Sequence, residues 1–243
     1  MPPRVLVKGP VQPGDTVTLS QEDSHHILHV FRLSEGEEVW IIAPGEGIYQ
    51  GILKRTGHFG ATAEVKKKIL GLKQEPQLEL IVVMPFIKGE RTAWAVQKLT
   101  EIGVTEIRFT LFKRSVVRPS SLDNKLKRLN RIAMEAVKQS LRVRIPHIEF
   151  FDNLEVSTKG LRGVLLDPHS QTALNSTLKG FAGMNKVGLC VGPEGGLEEE
   201  EVSFLEKGGW VPARFGPRIL RVETAAIAGS AVILNELGDL GCC

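Results

Sequence analysis

The chain has little cysteine. Its 243 residues include three, with Cys190 in an apolar run and Cys242 and Cys243 adjacent at the end of the sequence. That is neither the spaced set of a disulfide framework nor the paired spacing of a zinc site. No uninterrupted apolar run approaches the roughly 20 residues that span a bilayer, so no membrane partner is expected. The first residues, Met1-Pro-Pro-Arg-Val-Leu-Val7, lack the basic start, apolar stretch and small-residue cleavage site of a signal peptide, and the expected compartment is the cytoplasm. Internal repeats and low-complexity tracts are absent. Charge of one sign is scarce as well: 31 Lys and Arg against 28 Asp and Glu leave a net +3. This balance is compatible with a nucleic-acid partner without demonstrating one.

What is present reads as an ordinary globular chain, 42% hydrophobic and 24% charged, long enough for one or two domains. Residues 5–55 read as short strands with one inserted helix. Ser20 offers an N-cap, Asp23 a weak capping box, and Ile27, Leu28 and Phe31 one apolar helical face as far as Leu33, before Gly36. Strand-like runs at 38–43 and 48–54 flank the Gly-containing loop Pro44-Gly-Glu-Gly47, and 61–65 reads as a further strand. Several short strands with Gly turns suggest a small barrel. Residues 71–76 are a candidate linker.

The texture then changes. Leu-Glu-Leu-Ile-Val-Val-Met over 78–84 is nearly continuous and apolar, the pattern of a strand buried on both faces in a parallel sheet. Helices at 92–102 and 123–140 alternate with strands at 107–111, 147–151, 163–166, 187–191 and 211–215, which predicts an α/β domain with a mostly parallel sheet. From Ala225 to Leu234 Ser230 is the one polar side chain. A helix apolar all round is buried all round, either as a central core helix or across a homodimer interface.

Two strand-to-helix turns stand out. One is Gly192-Pro-Glu-Gly-Gly196 after the 187–191 strand. It lacks both the G-x-G-x-x-G spacing and the P-loop Gly-Lys-Ser/Thr, which disfavours phosphate cradling. The other is residues 216–226, Gly-Pro-Arg-Ile-Leu-Arg-Val-Glu-Thr-Ala-Ala. Paired Gly loops at strand carboxyl ends form a plausible cradle for a small ligand. The run His25-His-Ile-Leu-His29 puts two His at i and i+4, but it lacks the Glu of the metalloprotease helix and a third ligand, so no metal is expected. Lys125, Lys127, Arg128, Arg131 and Lys138 give a basic helix, tempered by Glu135, that reads either as a solvated face or as phosphate-contacting.

Four features in order, His26-Ile-x-x-Val-x-Arg32-Leu33, Gln139-Ser-x-Arg142 with Pro146, Gly192-Pro-Glu-Gly-Gly196 and Gly216-Pro-Arg-Ile-Leu-Arg-x-Glu-Thr-Ala225, resemble the RsmE family of the SPOUT superfamily. These are bacterial methyltransferases of small-subunit ribosomal RNA. The resemblance implies a PUA-like RNA-binding β-barrel over 1–71 and, over 77–243, a SPOUT α/β methyltransferase domain ending in a trefoil knot. It also implies a homodimer, S-adenosylmethionine as cofactor, and methylation of N3 of one uridine in 16S rRNA of the small subunit. An RNA-binding assembly factor and a ribose 2′-O-methyltransferase are the alternatives.

By the same resemblance, cofactor contacts fall to Leu166, Pro168, Val191, Gly192, Glu194, Gly195, Gly196, Phe215, Gly216, Ile219, Leu220, Arg221, Glu223, Thr224 and Ala225. RNA contacts fall to Arg4, His26, Arg32, Lys88, Arg91, Lys98, Gln139 and Arg142. Arg142, Arg218 and Arg221 could stabilise negative charge on the uracil, an oxyanion-type contribution, and Glu194 or Glu223 could accept the N3 proton. The chain departs from the family pattern at Lys138 (usually Glu), Leu141 (usually Gly), Phe215 (usually Leu) and Val222 (usually Thr).

Overall fold

The structure, a computed structural model, describes residues 1–56, 60–71, 75–118, 121–238 and 240. Part of the candidate linker, 72–74, and two of the cysteines, Cys242 and Cys243, lie outside the described residues. The chain divides into two compact units. One is Met1–Glu75 with Met134–Ile145; the other is Pro76–Ala133 with Pro146–Cys243. The inclusion of residues 134–145 in the first unit has no counterpart in the linear reading of the sequence.

The first unit holds strands β1 (Arg4–Leu6), β2 (Thr16–Thr18), β3 (Glu38–Ala43), β4 (Gly47–Thr56) and β5 (Gly60–Lys68), with helix α1 (Gln21–His25). The strand order is β1-β3-β4-β5-β2, with β1 parallel to β3 and the other pairs antiparallel. Period-2 alternation turns Ala61, Ala63 and Val65 of β5 inward, where they join Val5, Val39, Ile41 and Leu53 in one core. A second cluster gathers Ile42 and Ile48 with Val137, Leu141, Val143 and Ile145. The last turns of helix α3 (Leu122–Ser140) and the residues after it therefore pack on this sheet.

Ser20 does cap α1, its hydroxyl accepting the Asp23 amide at 3.0 Å. The longer helix to Leu33 does not form as expected. Residues His26–Val30 are π-helical, and the Phe31 amide reaches back five residues to the His26 carbonyl at 2.9 Å. The wider turn changes which side chains point inward. Ile27, Leu28 and Leu33 pack on the core, whereas Phe31 is left 53% exposed.

The second unit is a six-stranded sheet, all parallel, of β6 (Glu79–Met84), β7 (Glu106–Thr110), β8 (His147–Phe151), β9 (Gly163–Leu166), β10 (Lys186–Val191) and β11 (Trp210–Ala213). The order is β11-β9-β10-β6-β7-β8. In β6 five of six positions are buried, as its continuous apolar run requires. The helices of this unit are α2 (Arg91–Glu101), the first part of α3, α4 (Leu154–Thr158), α5 (Leu174–Leu178), α6 (Glu199–Lys207) and α7 (Val222–Leu237). Helix α7 packs on α2, α5, β6 and β10. This buries Ala226, Gly229, Ser230, Ile233 and Leu234 within the chain and leaves Ile227, Ala228, Ala231 and Val232 half-buried. No helix among the described residues is long and apolar enough to cross a membrane.

Candidate active site

Strands β9, β10 and β11 run side by side, and the segments after them line one cavity of about 1000 Å³. Leu166 ends β9 and leads to residues 167–169, Val191 ends β10 and leads to residues 192–197, and Phe215, Gly216 and residues 218–221 lead into α7, which adds Val222 and Ala225. This is the carboxyl edge of a parallel sheet, where strand ends present backbone groups to a ligand. Backbone approaches closely here. A side chain at Gly195 would put its Cβ 3.2 Å from Cβ of Arg114, and Gly216 has φ +73, a conformation that favours glycine. Arg114 fixes the loop after β10, donating from Nη1 to the Gly195 carbonyl at 3.0 Å and from Nε to Glu198 at 2.9 Å.

The acidic run after this loop is structural. Glu198 and Glu201 form a reciprocal capping box at the start of α6, and Glu201 also accepts the Lys113 amide at 2.8 Å. Glu200 pairs with Lys113, and this hydrogen bond holds the ammonium above its ordinary pKa and the carboxyl below. Burial pushes the Cys190 thiol pKa up and leaves it a packed apolar side chain.

Of the residues expected at the cofactor, thirteen line the cavity: Leu166, Pro168, Val191, Gly192, Glu194, Gly195, Gly196, Phe215, Gly216, Ile219, Leu220, Arg221 and Ala225. Glu223 and Thr224 are not among the lining residues. Thr224 faces solvent on α7. Glu223 is buried in the first helical turn, and its Oε2 lies 3.6 Å from Arg91 Nη1, an ion pair too long to be a hydrogen bond. Arg91 also lies 3.4 Å from Glu194, so its guanidinium links the β10 loop to the start of α7. The cavity adds residues that the sequence reading missed: Arg114, Asp167, His169, Pro193, Leu197, Glu199, Val202 and Ser203; Val222, one of the departures from the family pattern, lines it as well. Asp167 and His169 flank the expected Pro168 and were reachable by extending that loop. Arg114 lies far away in sequence and carried no signal.

The three arginines expected at the reacting base separate. Arg218 and Arg221 are exposed and line the cavity. Arg142 does not line it. It belongs to the first unit, is 2% exposed and pairs with Glu75, whose carboxylate lies 2.6 Å from Nη2 and 3.2 Å from Nε. Glu75 also accepts the Val143 and Arg144 amides at 2.8 and 2.7 Å. The Arg142 guanidinium is thus held by Glu75 inside the first unit, and it is not carried forward to the reacting base.

Other basic residues are engaged as well. Arg4 donates to the carbonyls of Gln139 (2.7 Å) and Lys138 (3.3 Å) at the end of α3, where a cation suits the helix dipole. Lys98 pairs with Glu101 at 2.8 Å. Lys138 is buried against Asp23 at 2.7 Å and also pairs with Glu135, so it leaves the basic face of α3. Burial pulls its pKa down, but the hydrogen bonds to Asp23 and Glu135 outweigh that and hold it above the ordinary value. His26, Arg32, Lys88 and Gln139 remain exposed, as do Lys127 and Arg131 of α3. Arg32 and Leu141 carry positive φ, 57 and 60. Leu141 is the C′ residue of a Schellman-type end to α3, with the Arg142 amide on the Val137 carbonyl at 3.1 Å, a position where glycine is favoured. Away from the cavity, Glu106, His147 and Glu149 bring three donor atoms within 4.8 Å of one another. Arg108 already holds Glu106 at 2.7 and 3.2 Å, which makes this an ion-pair cluster.

The family described as an RNA methyltransferase domain matches residues 73–234, and an RNA methyltransferase PUA domain matches residues 19–66. The ribosomal RNA small subunit methyltransferase E of Mesomycoplasma hyopneumoniae is 33% identical over 170 residues, 68% of this chain and 73% of that protein. The chain belongs to the ribosomal RNA small subunit methyltransferase E family. The family member from Bacillus subtilis is 26% identical over 250 residues, covering 94% of this chain and 93% of its own length. Among solved structures, a Legionella pneumophila methyltransferase in complex with the bound cofactor SAM superimposes with a TM-score of 0.88 at 26% identity, over 99% of this chain and 100% of that one. A PUA-like domain followed by a parallel α/β sheet is thus the architecture of this family member.

Proposed function

We propose that this chain transfers the methyl group of S-adenosylmethionine to N3 of a uridine in 16S rRNA of the small ribosomal subunit. The observation that carries the reading is the cavity at the carboxyl ends of β9, β10 and β11, walled by the two motif loops. The residues present fit such a cofactor. Leu166, Val191, Ile219, Leu220 and Ala225 offer apolar contact, the loops 192–196 and 216–221 offer backbone groups, and the volume suits a ligand of that size. When bound, the cofactor supplies an electrophilic sulfonium methyl. The chain's own work is to align the uracil with it and exclude competing geometries.

Uracil N3 carries a proton and becomes a good nucleophile when that proton leaves. Arg218 and Arg221, exposed at the cavity, are assigned to stabilise the charge that develops on the uracil oxygens. Of the two carboxylates considered as proton acceptor, Glu194 lines the cavity and Glu223 does not, so the role is given to Glu194. Extracting the base from its stack costs a few kcal/mol, which contacts elsewhere on the RNA must offset.

Residues 1–71 are assigned to holding RNA and residues 77–243 to methyl transfer, with a trefoil knot formed by the chain around the cavity. A homodimer is proposed through α7, supported by its half-buried apolar stripe Ile227, Ala228, Ala231 and Val232. Light scattering is expected to give twice the 26.7 kDa chain mass, and a fully active monomer would refute the dimer. The test of the reaction is mass analysis of nucleosides after incubation with small subunits and S-adenosylmethionine. The expected product is 3-methyluridine. A ribose-methylated nucleoside, or no methylation, would overturn the reading.

A further inference from the structure

The surface formed by His26, His29, Val30, Phe31 and Arg32 has no part in the core of the first unit or in the cavity. Val30 and Phe31 are 58% and 53% exposed, and all three histidines of the 25–29 run are exposed beside them. Leaving a phenylalanine in water forgoes the stabilisation that its burial would bring, and a regular helix through this segment would bring Phe31 round with Ile27 and Leu28. The π-helical turn prevents that and is fixed by two hydrogen bonds, from the Phe31 amide to His26 (2.9 Å) and from the Leu33 amide to Ile27 (3.0 Å). Leu33 is anchored in the core, so Phe31 is held outward by defined geometry. Its ring lies 5.2 Å from that of His26, tilted by 45°. The next residue, Arg32, adopts φ 57. A left-handed arginine is strained, and residues of this kind cluster at functional sites. Among the described residues no carboxylate pairs with Arg32.

We infer that this turn is a stacking platform for an unpaired RNA base. Phe31 presents its ring to the base, His26 flanks it, and the Arg32 guanidinium takes the adjoining phosphate. Aromatic rings beside a cation are the means by which proteins hold splayed-out single-stranded bases, and the platform lies inside the segment matched by the PUA domain of RNA methyltransferases. The proposal rests on RNA being the substrate, as argued above, and adds a specific contact to it.

The test is binding of a short single-stranded RNA carrying 2-aminopurine, whose fluorescence is quenched by stacking, alongside the KM for small subunits in methyl transfer. Phe31→Ala and Phe31→Leu are expected to weaken binding roughly five- to a hundredfold, with loss of quenching. Phe31→Trp is expected to retain both, and none of the three should alter S-adenosylmethionine affinity. Arg32→Ala should weaken binding and reduce the salt slope by about one. Wild-type affinity in Phe31→Leu would show a merely apolar contact and overturn the platform. So would absence of quenching in the wild type, or a Phe31→Ala change in oligomeric mass with RNA affinity unaltered. Because oligonucleotide binding needs no methyl transfer, the platform stands if binding behaves as expected while 3-methyluridine is absent, and only the reaction assignment falls.

Discussion

The two units use their charged residues differently. In the first, two buried ion pairs join distant stretches of chain, Lys138 with Asp23 and Arg142 with Glu75, while Lys54 and Lys66 meet Glu64 nearer the surface. In the second, charges gather at loops: Arg114 on Glu198, Lys113 on Glu200, and Arg91 on Glu194 and Glu223. A buried pair tolerates the loss of one partner poorly, because the other is left uncompensated in a low-dielectric interior. A rim pair contributes little to stability. The comparison teaches that motif arginines cannot be ranked by residue type alone. Arg142 and Arg221 both belong to motif segments, yet the first braces a fold and the second faces a cavity.

The largest effects are expected where the first unit's pairs are broken. Arg142→Ala should lower stability by about 3–5 kcal/mol, measured by urea unfolding, with Glu75→Gln in the same chain restoring part of the loss. A fully stable variant with a reduced turnover would return Arg142 to the reacting base and erase the contrast. Lys138 gives the pH arm. Its folded pKa is raised, so its contribution is complete below the ordinary lysine value of about 10.4 and fades as pH climbs through the higher folded value. Lys138→Met should therefore be less stable than wild type at neutral pH by about 3 kcal/mol, and the gap should narrow above pH 10.5 or so. Thermal melts across pH 8 to 12 would check this.

In the second unit the expected change is in binding, with little in folding. Gly195→Val crowds Arg114 and should weaken S-adenosylmethionine binding by at least about tenfold, equivalent to about 1.4 kcal/mol, read by calorimetry on a folded protein. Unchanged affinity would remove this loop from the site. The smallest effect belongs to Leu141→Gly. Glycine relieves a left-handed residue of about 1–2 kcal/mol but gives up partial burial of a leucine worth a similar amount. The net change in melting stability should stay within about 1 kcal/mol, and a larger loss would show that Leu141 packing outweighs its backbone strain.

Much of the fold was legible because periodicity reports burial directly. The apolar run of β6 needed both faces covered, and the alternation of strands and helices after it yielded a wholly parallel sheet. Thirteen of fifteen expected cofactor positions line one cavity for a related reason: strand-to-helix turns at the carboxyl edge of such a sheet must converge. The exceptions are instructive. Glu223 follows lining residues in sequence, but α7 rotates it inward, since successive helical side chains point about 100° apart.

By itself, the sequence determined the element types, the two textures along the chain and the pair of loops that bear the chemistry, all of which depend on local pattern. Tertiary structure alone decided which charges are free. Nothing near Arg142 in sequence announces Glu75, 67 residues away, and nothing near Lys138 announces Asp23, 115 residues away. Nor could helical periodicity reveal the π-helical turn that sends Phe31 to the surface. That turn accompanies the packing of Ile27, Leu28 and Leu33 on a core built by the five strands of the unit, and a residue's partner across a fold is set by how the whole chain closes on itself.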